Sequence, residues 1–149
     1  MAMGRPDFRM GRIIGAWLRT KKGPRELHPA VIITPDAEIV QPSDFDPRTG
    51  GDNVVVVVGV STKYKLYSEP FIELPFQSGG HPVTKLTRDC AMIVGWYDAI
   101  CIPDDVHFWA GDVPANQMTR MNDAVRADLV KRLGKEFNTL AEILPLLFP

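Results

Sequence analysis

The stretch VVVVVGVSTKY, residues 54–64, decides the interpretation of the whole chain because its chemical character changes abruptly. The valine-rich part is apolar without alternation, which predicts a strand that is buried on both faces or lies centrally in a closed barrel. Ser61, Thr62, Lys63 and Tyr64 follow directly and offer two hydroxyls, an ammonium group and a phenol. A turn capped by hydroxyls is the ordinary structure for such a strand end. A groove lined by these side chains is the functional alternative.

Length and composition are those of one folded domain spanning residues 1–149. Hydrophobic residues make up 45% of the chain, charged residues 23%, and the net charge is −1. A nearly neutral chain does not coat nucleic acid through bulk charge, although it can carry a local basic site. No segment reaches the roughly 20 apolar residues that span a bilayer, and the N-terminus lacks the apolar core of a signal peptide. We therefore expect a cytoplasmic protein without membrane contact.

The two cysteines, Cys90 and Cys101, lie in apolar segments that resemble strands. Neither a CxxC pair nor a Cys/His ligand spacing is present. We therefore predict two packed thiols, with no disulfide, no metal site and no other cofactor.

Apolar segments separated by turn residues predict a sheet rather than helices over the first two thirds of the chain. The connections are too short for the helical crossovers that parallel strands need, so a small antiparallel β-barrel is favoured. Residues 35–53 are rich in Pro, Asp and Gly and predict a long loop with an acidic set of side chains. The predicted strands are Arg9–Leu18, His28–Thr34, Val54–Val60, Glu69–Leu74 and Val83–Ile102, the last as one strand or two with a bulge or corner at Gly95.

The hydrophobic period lengthens after Gly111. Apolar residues then recur at steps of three and four, which predicts an amphipathic helix that begins near Pro114 and ends at Gly134. A second short helix is predicted over residues 137–148. The fold class is therefore mainly β with C-terminal helices, and the residues of the first helical stripe are Met118, Met121, Val125, Leu129 and Leu133.

In order and spacing these segments resemble the MazF/PemK family of toxins from toxin–antitoxin pairs. GRIIGAW (11–17) resembles the opening strand of that family, and HPAVIIT (28–34) lies where the family has Arg-Pro and a valine-rich strand. VVVVVGVST (54–62) resembles its third strand, which ends in a Thr/Ser pair. PFIELP and VTKLTRDCAMIVGWYDAI resemble the later strands, and GDVPANQMTRMNDAVRADL resembles the lead into the terminal helix. The resemblance covers about residues 11–133.

This resemblance implies an SH3-like barrel, a homodimer, and metal-independent endoribonuclease activity on single-stranded RNA. It also implies an antitoxin protein that blocks the groove. The family arginine before the proline and the hydroxyl after the third strand are credited with the chemistry. Those positions hold His28 and Ser61 here, with Thr62 beside Ser61. The chain departs from the pattern because histidine replaces the arginine, while Arg25 lies three residues upstream.

Cleavage of RNA without a metal needs a base for the ribose 2′-OH, donors or cations for the phosphate, and an acid for the leaving 5′-oxygen. The 2′-OH is the nucleophile, so Ser61 needs no activating base. An unperturbed histidine titrates near neutrality, which suits His28 for the base or the acid step. Arg25 is then the predicted catalytic cation, and Ser61 with Thr62 are predicted to donate hydrogen bonds to phosphate oxygens.

Basic side chains cluster near the N-terminus. Residues 1–25 contain seven of them and a single acidic residue, Asp7. This is the pattern of a local phosphate-binding surface, although a solvated surface is the ordinary interpretation. Tyr64 or Tyr67 offers a ring face for an unstacked base. The predicted RNA-binding residues are Arg19, Lys21, Lys22, Lys63 and Tyr64.

Two other functions remain open on the sequence alone. The same barrel can hold RNA or a protein partner without catalysis, with His28 as an ordinary surface residue at a strand entry. A small-molecule or redox enzyme using His28 and a cysteine is the other alternative, although no residue spacing assembles its site. The tryptophans Trp17, Trp96 and Trp109 are predicted to be packing residues.

Overall fold

This computed structural model describes residues 8–20, 23–39 and 54–148. These residues contain six strands and two α-helices. Asp36–Glu38 and Tyr64–Leu66 each form one turn of 3-10 helix. The strands and helices are β1 (Arg12–Arg19), β2 (Arg25–Ile32), β3 (Val54–Ser61), β4 (Phe71–Leu74), β5 (Cys90–Cys101), β6 (Val106–Asp112), α1 (Ala115–Leu133) and α2 (Leu140–Leu147).

The strands form a single antiparallel sheet in the order β4-β5-β3-β2-β1-β6. β3 lies inside this sheet, paired with β2 on one side and β5 on the other. Val56, Val58 and Val60 belong to the apolar cluster that α1 covers, whereas Val55 and Val57 belong to the cluster on the opposite face. The prediction that β3 is buried on both faces is therefore confirmed.

The helix α1 buries four residues of its predicted apolar stripe, and Leu133 at its end is half-buried. Pro114 is its N-cap, and Gly134 follows its last residue with a left-handed φ of 70°, a conformation that glycine adopts without steric cost. The second helix begins after Thr139, whose hydroxyl accepts a hydrogen bond from the Glu142 backbone N–H at 3.3 Å. Neither helix in the described ranges combines the length and apolar character needed to cross a membrane.

The main differences from the sequence-based predictions are one missed strand and two shifted strand starts. β6 was missed because VHFWAGD mixes small, polar and aromatic residues without a clear alternation. Residues 83–89 form turns and irregular backbone rather than strand, so β5 begins only at Cys90. β2 begins at Arg25, three residues before the predicted start at His28, because this part of the chain continues its ladder with β1 as far as the Arg19–Arg25 pair. Most of the predicted loop 35–53 lies outside the described residues.

The mainly β fold class is confirmed, whereas the predicted closure of the barrel is not observed in the described residues. β4 and β6 are the sheet edges and do not pair with each other. Instead, the backbone N–H groups of Gly111 and Asp112 donate to the carbonyl oxygens of Thr84 and Val83 at 2.9 and 3.0 Å. Thr84 is buried, and its hydroxyl donates to the Pro75 carbonyl at 2.7 Å. The loop after β4 therefore covers the β6 edge without forming a strand.

Gly111→Ala tests this covering contact. A Cβ at position 111 would lie 1.9 Å from the Val83 carbonyl oxygen, so the loop backbone must move away from β6. We expect the free energy of unfolding, measured by urea denaturation, to fall by about 1–3 kcal/mol. Gly79→Ala is the control, because its added Cβ meets no atom within 4 Å. Equal denaturation midpoints for the two variants would contradict the role given to the 83–84 contact.

Candidate functional site

A groove of about 910 Å³ opens where the ends of β1, β2 and β3 approach the central part of β5. The residues that follow β3 and those that precede β5 complete its walls. Backbone pairing determines which side chains reach it: Ala30 of β2 lies opposite Gly59 of β3. Continuing that antiparallel register by two residues brings His28 level with Ser61. Both of these side chains line the groove.

The groove gathers five of the predicted site residues from three separate segments. They are His28 on β2, Ser61 at the end of β3 with Thr62 and Lys63 after it, and Arg19 at the end of β1. The Ser61 oxygen accepts a hydrogen bond from the Lys63 backbone N–H at 3.0 Å, which is the hydroxyl-capped turn expected at a strand end. The turn and the groove, posed as alternatives by the sequence, occur together.

Arg25 does not line the groove. It lies three residues before His28 on the same strand, and alternation of side chains across a strand puts the two on opposite faces. The Arg25 guanidinium instead donates to the Trp17 carbonyl oxygen at 2.9 Å and lies 3.7 Å from the Asp105 carboxylate. Lys21 and Lys22 lie outside the described residues.

Tyr64 is buried rather than open to a ligand, with a relative exposure of 2%. Its hydroxyl donates to the two Asp89 carboxylate oxygens at 3.0 and 3.2 Å, and its ring packs on Phe71. Burial, followed by the hydrogen bond to Asp89, raises the pKa of Tyr64 to about 12. Tyr64 therefore has no open ring face, and Tyr67, immediately after the 3-10 turn, lines the groove in its place.

The His28 imidazole lies between a carboxylate and an indole. Its Nε2 atom is 3.2 Å from a Glu26 carboxylate oxygen, and its ring meets the Trp96 ring edge-to-face with centroids 5.0 Å apart. The side chain remains 30% exposed, so the ring is reachable from the groove. A carboxylate partner orients an imidazole and leaves the other ring nitrogen for a second contact. This is the geometry that a proton-transfer residue needs.

Arg88 is a groove residue that sequence analysis missed, because a single arginine in an irregular segment carries no signal of its own. It and Lys63 are exposed, and neither forms an ion pair with a carboxylate of the described residues. Glu26 and Glu69 also line the groove, so its charge is mixed. Within the ranges that the structure describes, no three His, Cys, Asp or Glu side chains are placed to hold a metal ion.

Trp96 also lines the groove, although the sequence predicted a packing role for it. The cause is the bulge in β5: Val58 pairs with Tyr97, but Val60 already pairs with Met92. Gly95 lies inside this bulge with a φ of 105°, which favours glycine. The sequence-based prediction of a bulge at Gly95 is therefore confirmed.

The groove is tied to α1 through Tyr97. Its hydroxyl donates to the Asp128 carboxylate at 2.5 Å, and the Arg132 Nε donates to the same carboxylate at 2.7 Å. Burial, together with the hydrogen bond to Asp128, raises the pKa of Tyr97 well above its ordinary value. The phenol therefore stays protonated, and it fixes one wall of the groove to the helix.

Two solved structures are similar to this arrangement of strands and helices. One is the crystal structure of MazE-MazF (Form-II) from Deinococcus radiodurans, with a TM-score of 0.51 and 16% identity over 86% of this chain and 98% of that chain. The fold is MazF-like. The Form-III crystal structure of MazE-MazF from the same organism has a TM-score of 0.48 and 15% identity over 87% of this chain and 98% of that chain. Neither a protein-family model nor a curated protein matches the sequence.

The MazF-like fold agrees with the family that the sequence resembles. At such low identity the match concerns the path of the backbone, and it does not identify the residues that act.

The cysteines differ in their surroundings. Cys90 lies at the groove wall but is buried, and burial, followed by the charge of Asp89, raises the pKa of its thiol to about 11. Cys101 is exposed at the end of β5. No disulfide joins Cys90 and Cys101.

We expect two phases when the native protein reacts with a disulfide reagent such as DTNB near about pH 8, because the thiolate is the reacting form. Cys101 should react in the fast phase and Cys90 in the slow one. Cys101→Ser should remove the fast phase, whereas Cys90→Ser should leave it intact. Raising the pH towards the pKa of Cys90 should accelerate the slow phase, because a larger fraction of this thiol is then thiolate. Two indistinguishable phases would show that Cys90 is not shielded at the groove wall.

Proposed function

We propose that this protein is the toxin of a toxin–antitoxin pair, a cytoplasmic endoribonuclease that cleaves single-stranded RNA by metal-independent attack of the ribose 2′-OH. The supporting observation is the meeting of His28, Ser61 and Thr62 in one groove of a MazF-like fold. Lys63 and Arg88 add positive charge to the same groove. These are the group types that the reaction requires.

His28 is the proton-transfer residue of the proposed reaction. Glu26 orients the imidazole through Nε2, and the partial exposure of the ring allows it to meet a ribose from the groove side. The His28 imidazole takes the proton of the 2′-OH as the 2′-oxygen attacks the adjacent phosphorus. The bond from phosphorus to the 5′-oxygen breaks, and this oxygen takes a proton from the imidazolium or from water. The products are a 2′,3′-cyclic phosphate and a free 5′-hydroxyl.

The developing charge on the phosphate is met by hydroxyl donors and cations. The Ser61 oxygen already accepts the Lys63 N–H, so its own hydrogen is left to donate to a phosphate oxygen. Thr62 adds a second hydroxyl. Arg88 takes the cation role predicted for Arg25, because it lines the groove and Arg25 does not.

The partners follow from the same proposal. Single-stranded RNA occupies the groove, an antitoxin protein blocks it, and the toxin is a homodimer. The similar crystal structures contain MazE together with MazF, which supports a protein partner for this fold. Light scattering of the purified chain checks the dimer directly.

A non-catalytic groove that holds RNA or a protein partner is the second candidate function. The observation in its favour is the imidazole at position 28, where the family that the sequence resembles has a guanidinium. RNA binding without cleavage across many sequences would select this candidate.

His28→Ala should abolish most cleavage of a mixed single-stranded RNA incubated with EDTA. We expect kcat to fall about 100-fold or more, the usual contribution of a proton-transfer residue, and the pH dependence of the remaining activity to flatten. His107→Ala is the matched control, because this histidine is exposed on β6 and does not line the groove. Equal rates for the two variants, with unchanged denaturation midpoints, would remove His28 from the mechanism.

Arg88→Ala and Arg25→Ala distinguish the two candidate cations. We expect Arg88→Ala to lower kcat by roughly 10- to 100-fold, because it removes charge stabilisation at the phosphate. Arg25→Ala should leave kcat within about threefold, since its side chain contacts Trp17 and Asp105 on the other face. A larger loss for Arg25→Ala than for Arg88→Ala would restore the assignment made from the sequence.

A further inference from the structure

The indole of Trp96 is held with one face against the sheet. A Cβ added to Gly59 would lie 2.1, 2.2 and 2.6 Å from three atoms of its six-membered ring. Similar short distances to three adjacent ring atoms mean that the Gly59 backbone lies under the ring face rather than at its edge. The Trp96 Nε1–H donates to the Arg19 carbonyl at 2.9 Å, which fixes the rotation of the ring.

Trp96 lines the groove, which gives access to the uncovered part of the half-buried indole. Tyr67 lies beside it with its ring plane within 17° of the indole plane and its centroid 6.4 Å away. Both rings are half-buried and both line the groove. Two segments that are distant in sequence therefore bring two nearly parallel aromatic rings to the groove.

The surroundings of these rings indicate what kind of molecule fits them. The indole N–H already has its acceptor, so the surface that Trp96 leaves open carries no directional hydrogen-bonding group. Hydroxyls and cations that suit a phosphate lie in the same groove, at Ser61, Lys63 and Arg88. A flat apolar face next to phosphate-binding groups is the combination that binds single-stranded nucleic acid.

We infer that Trp96, with Tyr67 beside it, is a stacking platform for one unpaired base of the bound strand. This inference rests on the proposed function and extends it to a base subsite. The His28 ring is centred 5.0 Å from the Trp96 ring, so the stacked base belongs to a nucleotide that flanks the scissile phosphate. Stacking tolerates any base and favours the larger ring surface, so a purine binds there more tightly than a pyrimidine.

The test uses a fluorescein-labelled single-stranded RNA that is 2′-O-methylated at every position, so that it cannot be cleaved. Trp96→Leu should weaken its binding about tenfold, measured by fluorescence anisotropy, because one stacked base is lost. Trp96→Phe keeps an aromatic face and should recover part of the loss. Trp17→Leu is the matched control, because Trp17 is 42% exposed but lies outside the groove. This variant should bind the RNA as tightly as the wild-type protein.

Two further measurements fix the interpretation. RNA should quench tryptophan emission in Trp17→Phe but not in Trp96→Phe. A series of RNAs, each with an abasic nucleotide at a different position, locates the stacked base. One of these RNAs should bind the wild-type protein more weakly, and the same abasic position should cause no further loss in Trp96→Leu. Equal affinity of Trp96→Leu and wild type, with both folded, would overturn the platform even if the RNA substrate is cleaved. If the Trp96 variants behave as expected but an unmethylated RNA is never cleaved, the proposed catalysis is wrong and the platform stands.

Discussion

Burial of β3 on both faces is the constraint on which the rest of the structure depends. A strand covered on both sides cannot move by one residue without exchanging the residues that face its two apolar clusters. Its register with β2, fixed by the Ala30–Gly59 pair, therefore sets the level of His28 against Ser61. The groove forms where β3 ends at Ser61, while the first residues of β2, from Arg25 to Pro29, extend past this end outside the core.

The bulge in β5 gives that groove its second wall. β5 pairs with β3 on both sides of the bulge, so the extra residues must leave the plane of the ladder. Gly95 permits this turn, and the residues directly after it point in different directions. Trp96 lies across the bare backbone of Gly59, whereas Tyr97 reaches α1 at Asp128. One local irregularity thus provides both an aromatic face and a connection to the helix.

Local patterns in the sequence predicted β3, the bulge and the bounds of α1, because each depends on neighbouring residues. β6 and the loop covering its edge were missed because they depend on contacts between distant segments, such as Gly111 with Thr84. Trp96 and Arg88 were missed for the same reason. Arg25 is different. Once β2 is known to begin at Arg25, strand alternation places its side chain on the other face of the strand from His28. The sequence placed the start of this strand at His28, so the alternation could not be applied to Arg25.

A histidine at position 28 changes how the proposed reaction is divided among residues. A guanidinium holds charge but does not exchange its proton near neutral pH, whereas an imidazole exchanges a proton and carries a smaller share of the charge. The cationic role must then move to side chains outside β2. Lys63 and Arg88 come from the two segments that flank β4, and both line the groove with His28. With proton transfer and charge stabilisation on separate residues, Glu26 can orient the His28 imidazole. The same carboxylate would neutralise a catalytic guanidinium at position 28.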